Sequence, residues 1–219
     1  MQLEEHVLLM IKAEFFVQLI GAAFFLILNI YLAKQGFSDP EIANFISYRF
    51  LAVMLLAFPL GFYIKGKPLK PFFILGSLGV PTVAIALVLV VQYGLYQYLP
   101  ILFILWGIVF TLFQVSSLPY VMRNTAIHNQ SHAISLNYAT HSFGTILSGI
   151  IIFGFGQFMK EIDEGIILLF IAFIGFFGVY YLLKMKVDVV VPVKKGLQWK
   201  SYDWSLLLKA IIPTLIIAV

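Results

Sequence analysis

The chain has 219 residues, 62% of them hydrophobic and only 11% charged, with a net charge of +4 and a mean hydropathy of +1.00. Water-soluble domains are about a quarter charged, so the composition excludes one. The basic residues sit in short loops between apolar runs, which reads as topology signal and lipid-headgroup contact and argues against nucleic acid as a partner. With no cysteine, disulfides and thiolate metal sites are excluded as well.

The N-terminal MQLEEHVLLMIK carries Glu4 and Glu5 and no small-residue cleavage site, so the first span is expected to serve as an uncleaved anchor. A membrane-crossing helix needs about 20 mostly apolar residues. That rule places six spans at 14–33, 43–64, 71–92, 99–121, 134–158 and 165–183, with a seventh opening at 204 and cut at Val219. The expected organisation is a six-helix bundle over 1–184, a basic central loop over 185–203 and the start of a further bundle over 204–219. Barrel strands are excluded because the runs are too long and do not alternate. No cofactor is expected.

Lysine and arginine fall unevenly between the two sides. Lys12, Lys65, Lys67, Lys70, Arg123 and five lysines between 184 and 200 share one side, while the other holds Lys34 and Lys160. Clustered positive charge stays cytoplasmic, so the N-terminus and the basic central loop are expected inside. The expected fold class is therefore an all-α, multi-pass membrane protein with a cytoplasmic N-terminus, seated in the cell (cytoplasmic) membrane.

Polar residues within spans face a bundle interior or a wet cavity. On the first helix Glu14, Gln18, Gly21 and Asn29 share one stripe, with Phe25 inside it. Such a face suits either the wall of a solute path or a packed helix seam. Glu14, near the cytoplasmic end, is a candidate to carry a coupled proton, or else it simply reaches the interface. Arg49 lies about two turns below the outer surface, where an arginine must pair, meet water or snorkel. It either binds an anionic group of the solute through its fork or reaches Tyr48, a headgroup, Asp39 or Glu41. Span four offers Thr111 and Gln114 on one face with Ser117 at its edge. Span five offers Asn137, His141, Gly144 and Ser148 on one face and Tyr138, Ser142, Thr145 and Gly149 on another, the pattern of a helix buried among neighbours, where Gly144 and Ser148 make a small-residue seam. His141 is a proton shuttle or a packing histidine. His128 and His132, four apart in the loop HNQSH, resemble half of a metal site, but only four histidines exist in all and no metal site is expected. No nucleophile triad, phosphate loop or paired intramembrane carboxylates are present, so an enzyme is not expected.

Six N-in spans, a long basic connector and a seventh span starting afresh resemble the first half of a major facilitator superfamily transporter. That family carries a signature after span two: glycine, three residues, aspartate, a basic residue, any residue, glycine and two basic residues. Here the loop reads GFYIKGKPLK, with Gly61 at the leading glycine and Lys70 at the closing basic position, but with Lys65 where the aspartate belongs. The gating ion pair that this aspartate makes is thus left without its acid. The glycine–proline signature of drug antiporters is also absent from THSFGTILSGIIIFGFGQF. An internal alignment of residues 8–20 with 205–217 sets Lys12 over Lys209 and Ala13 over Ala210, as a two-half transporter would.

The resemblance implies alternating access, two six-helix bundles rocking about a midplane site lined by spans one and four of each half and supported by span five. It implies a small-molecule solute as substrate, protons or an exchanged solute as driving force, the lipid bilayer as surroundings, and a C-terminal half of the same chain as the essential partner. Three alternatives compete: a seven-helix receptor or light-driven pump, which the charge count disfavours; a membrane-embedded enzyme, for which no polar cluster is visible; and a non-transporting scaffold or channel subunit.

Overall fold

The computed structural model of the chain describes residues 4–158 and 163–188, and over these it is all-helical. The helices are α1 (Glu5–Lys34), α2 (Asp39–Tyr63), α3 (Lys70–Gln92), α4 (Leu99–Asn124), α5 (Ile127–Phe158), α6 (Glu164–Gly175) and α7 (Phe177–Lys184). A single 3-10 turn, Tyr96–Tyr98, leads into α4. Among the described residues six spans are long and apolar enough to cross a membrane, α6 and α7 together making the sixth. The chain is a multi-pass membrane protein. Lys160, most of the basic central loop and the seventh span lie outside the described residues.

Local chemistry sets the helix ends. The Ser38 N–H donates to Glu41 Oε2 at 2.8 Å and the Ser38 hydroxyl to the same oxygen at 2.7 Å, with Pro40 in the first turn of α2. Asp163 accepts from the Gly165 N–H at 2.7 Å at the start of α6. At the other ends of α1 and α3, Gly36 and Gly94 take φ of +93° and +68°. The next residue of each, Phe37 or Leu95, then donates back to the Leu32 or Val90 carbonyl. These are Schellman closures, open only to a residue at ease with positive φ.

Several helices run longer than the apolar spans, α1 and α5 most of all, because a helix has no reason to stop where the bilayer does. α1 begins at Glu5 rather than 14, its acidic first turn suiting a helix N-terminus. α5 begins at Ile127 rather than 134, so HNQSH is helix and not loop. The sixth span carries an irregularity without a proline: the Phe176 N–H donates to the Phe173 carbonyl, three residues back, tightening one turn between α6 and α7. That turn follows Gly175, which seats span six against Ile20 of α1 and Pro81 of α3; a Cβ there would meet both.

The packing repeats after three helices. α4 packs on α2 and α3, and α1 packs in the same way on α5 and on α6 with α7. α3 and α6 meet between them. Exchanging α1 with α4, α2 with α5 and α3 with span six therefore maps these main interfaces onto one another. The large buried side chains Phe24, Tyr31, Phe73, Phe103, Trp106, Phe113 and Tyr120 fill the interior. α2 and α5 lie at the flanks with most of their surface open.

The end of the bundle that carries Lys65, Lys67 and Lys70 is tied down. Asp188 accepts from the Leu69 N–H with both carboxylate oxygens, at 2.9 and 3.1 Å. Arg123 donates to the Lys67 and Ile64 carbonyls at 3.0 and 3.2 Å and lies 4.0 Å from Asp188. Lys70 donates to the Leu183 carbonyl at 3.3 Å and to the Met185 carbonyl. At the opposite end Lys34 pairs with Glu164, joining α1 to α6.

Candidate functional site

Two polar clusters occupy the bundle, one on each side of α4. The first is at the junction of α1, α4 and α5. Glu14, nine residues beyond Glu5 and so about 14 Å along α1, is only 2% exposed. Ser117 of α4 donates to Glu14 Oε2 at 2.8 Å, and Asn137 of α5 donates through Nδ2 to Ser117 Oγ at 3.2 Å. All three are buried. Met10 Sδ lies 3.8 Å from the same hydroxyl. Gln18, one turn beyond, is buried beside the carboxylate, yet its Nε2 makes no hydrogen bond of good geometry.

The sequence positions α5 closely enough to build this relay. A Cβ on Gly144 would stand 3.3 Å from Gln18 Cβ, and the Ser148 hydroxyl donates to the Leu19 carbonyl at 2.9 Å. The small-residue pair is thus the seam between α5 and α1. The Ser117 hydroxyl can turn: it donates to a carboxylate and accepts from a carboxyl group, while Asn137 supports it in both states. No charged side chain reaches Glu14 among the described residues. From α4 it meets Ser117, from α5 Asn137 behind that hydroxyl, and on its own helix Gln18. Lys12 is turned away, 5.8 Å from the Tyr181 ring centroid.

The second cluster is at the junction of α2 and α4. Gly107 lets the two backbones touch: a Cβ there would run into the Arg49 carbonyl oxygen and stand 2.8 Å from Ala52 Cβ. This approach lays the Arg49 guanidinium over the Trp106 ring at 4.4 Å, with Phe110 at 5.1 Å and Phe50 at 5.6 Å. Trp106 is itself held edge-on by Phe24 of α1 at 5.1 Å. Arg49 makes no hydrogen bond and no ion pair among the described residues, and its Nε is buried without an acceptor. Trp106 Nε1 and Gln114 Nε2 are in the same condition.

The energetics of the clusters differ. An arginine within a bilayer costs about 3 kcal/mol on the gentlest scale. A desolvated cation–π contact returns about 2 kcal/mol, and each buried N–H left without an acceptor takes back about 1–3 kcal/mol. The aromatic box does not balance the charge it holds.

The remaining sequence candidates divide. Of the α1 stripe, Glu14, Gln18 and Gly21 are buried, whereas Phe25 at 69% and Asn29 are exposed, so the stripe passes from the interior to an open face. Thr111 is buried and spends its hydroxyl on the Gly107 carbonyl of its own helix at 2.6 Å, leaving no donor for a solute. Arg49 does not reach Tyr48, Asp39 or Glu41. His141 is exposed rather than packed. The expectation that α5 is buried on both polar faces is corrected: Asn137, Gly144 and Ser148 are covered, but Tyr138, Ser142 and Thr145 are exposed among the described residues. Lys65 and Gly61 are exposed, and a Cβ on Gly61 would meet nothing. Lys70 holds the turns after α7. His128 and His132 are exposed on α5, and no group of three metal-ligating side chains forms among the described residues.

Three participants, Trp106, Phe110 and Asp188, escaped the sequence reading, and a fourth, Ser117, was underrated by it. Ser117, placed at the edge of its face, is the direct partner of Glu14. Trp106 and Phe110 precede Gln114 at intervals of four on α4, a stripe that reads as core until Arg49 is laid against it. Asp188 supplies a carboxylate to the loop where Lys65 replaces the expected one. Set against known protein families, curated proteins and solved structures, the chain finds no match.

Proposed function

We propose that this chain is a six-helix bundle of a secondary transporter of the major facilitator type, moving a small solute by alternating access and coupled to protons at Glu14. The observation that carries the reading is the packing that repeats after three helices. Nested three-plus-three repeats are the internal architecture of such a half. A chain assembled merely as a membrane scaffold has no need of one. The reading also gives the exposed polar face of α5, Tyr138, Ser142 and Thr145, a surrounding other than lipid: a wet path or a second bundle. The N-terminus and the tied basic end are cytoplasmic, in accordance with the side that bears the lysines, and the membrane is the cell membrane.

In this reading Glu14 is the proton carrier. It sits where α1, α4 and α5 converge, and its hydroxyl partner accommodates both protonation states without rearranging the helices.

The test is uptake by the full-length protein in proteoliposomes under an imposed pH gradient, compared with solute exchange without one. Glu14→Gln is expected to cut proton-driven accumulation by tenfold or more, the scale of losing a coupling free energy of about 1.4 kcal/mol, and to spare exchange. Equal accumulation by variant and wild type would end the coupling role. Absence of both accumulation and exchange for a broad solute panel would end transport.

A further inference from the structure

We propose that Arg49 and Trp106 form a binding site for an oxyanion, a carboxylate or phosphate group, carried by the transported solute. The assignment of that anion to a solute rests on the transport reading; the anion site itself does not.

The ring faces of Trp106, Phe110 and Phe50 attend to the guanidinium from 4.4 to 5.6 Å, and they neutralise nothing. A ring face is at most a weak acceptor for a guanidinium N–H and carries no charge to balance it. Arg49 Nε is left buried and unbonded, as is Nε1 of the contacting Trp106, and both atoms are donors under every arrangement of hydrogens. The deficit is of one sign: acceptors and negative charge.

No side chain among the described residues supplies them. Glu41 is held by the Ser38 N–H and hydroxyl, and Asp39 does not pair with Arg49. Glu14 is engaged by Ser117, eleven residues down α4 from Trp106 and so about 16 Å away. The site is also rigid, since Gly107 clamps the backbone at Arg49 onto α4 and Phe24 braces the indole. A fixed guanidinium with a free edge recognises an oxyanion in two-pronged fashion.

Thermal unfolding of the full-length protein tests this. The protein is placed in phosphatidylcholine nanodiscs and titrated with succinate, inorganic phosphate and glucose 6-phosphate, with glucose and tetraethylammonium as neutral and cationic probes. At least one anion is expected to raise the Tm saturably, the neutral and cationic probes not. Arg49→Gln should weaken that binding by about 100-fold, and Trp106→Phe, which keeps a ring face but removes the N–H, by about fivefold. Arg49→Lys should fall between them, retaining charge without the fork. If Arg49→Gln does not fold, the other two variants carry the test. No stabilisation by any anion, or stabilisation undiminished in these variants, overturns the site.

Nanodiscs with phosphatidylglycerol separate the sources of the anion. Arg49-dependent stabilisation by that lipid alone, with no competition from soluble anions, makes the ligand a headgroup and overturns the solute assignment. Proteoliposome flux separates the two proposals. Arg49-dependent anion binding without flux removes transport alone; flux of a neutral solute indifferent to Arg49→Gln removes the assignment of the anion to the solute alone.

Discussion

The two sides of α4 hold opposite charges by opposite means. At Glu14 the protein surrounds a buried carboxylate with a relay drawn from two other helices, Ser117 and Asn137. At Arg49, a half-buried residue, it sets aromatic rings against the guanidinium and leaves the buried Nε without an acceptor. Both groups are costly in a bilayer. The first has its hydrogen bonds within the chain and needs only a proton to become neutral. The second cannot lose its charge under ordinary conditions and lacks a counterion among the described residues. A charge that neutralises itself suits coupling; one that stays charged and unpaired suits recognition.

The largest effect should come from closing the gap that creates the arginine side. Gly107→Ala places a methyl group against the Arg49 carbonyl, a backbone atom that cannot swing away, and 2.8 Å from Ala52 Cβ. The expected cost is about 3 kcal/mol, at the upper end for overpacking. It should appear as a Tm several degrees lower and as loss of any Arg49-dependent anion binding. An unaltered Tm would mean that α2 and α4 are not in contact at this level.

Next in size is the loss of the hydroxyl on the carboxylate side. Ser117→Ala strips Glu14 of its direct donor and leaves Asn137 Nδ2 facing a methyl group. Hydrogen bonds to charged groups contribute about 1.5–3 kcal/mol, so a loss of about 2 kcal/mol is expected at a pH alkaline enough to keep Glu14 ionised. Adding Glu14→Gln to Ser117→Ala should recover part of it, because an uncharged amide suffers less without that donor. A double-mutant cycle in thermal unfolding measures the coupling; additive losses would show that the two side chains do not interact.

These clusters were unequally legible in the chain itself. The six spans stand out because apolar runs of that length have few other uses. Glu14, Gln18 and Gly21 were placed on one face by helical period alone, and that face is buried. The same arithmetic grouped Phe25 and Asn29 with them, yet those are exposed, since an angle about one helix says nothing of where its neighbours end. For α5 the period separated two polar faces but set the exposed His141 on the covered one, and it did not say which of them is covered. Gly144 and Ser148 decide it, and only once they are set against Gln18 and Leu19. The turn between α6 and α7 had no signal, lacking a proline. Arg49 was conspicuous as a charge; its cage was not, because Trp106 and Phe110 are ordinary core residues until the contact at Gly107 brings Arg49 above them.

A smaller loss is expected at the seam supporting the carboxylate side. Ser148→Ala removes one hydroxyl that is shared between the Leu19 carbonyl and the Gly144 carbonyl of its own helix, both at 2.9 Å. Interhelical hydrogen bonds within bilayers average about 0.6 kcal/mol, and the loss should be of that order. Ser148→Val should do more harm, since bulk at a small-residue seam separates the helices. If alanine and valine behaved alike in thermal unfolding, α5 would not pack on α1 through this face.

The smallest effect returns to the arginine side and inverts the logic of the serine. Trp106→Phe deletes an N–H that is buried without an acceptor, and so removes an unmet hydrogen bond of about 1–3 kcal/mol. The smaller ring leaves space against Phe24 and Arg49, a loss of about the same size. Without added anion the two should cancel to within about 1 kcal/mol, so the Tm should hardly change even though Trp106 is among the largest buried side chains of the bundle. With a saturating anion the indole N–H has a partner, and the same substitution should become visibly destabilising. A ligand-dependent penalty at Trp106, set beside a ligand-independent penalty at Ser117, is the signature that separates an open site from a closed relay. Equal penalties at Trp106 with and without anion would return the aromatic box to the core.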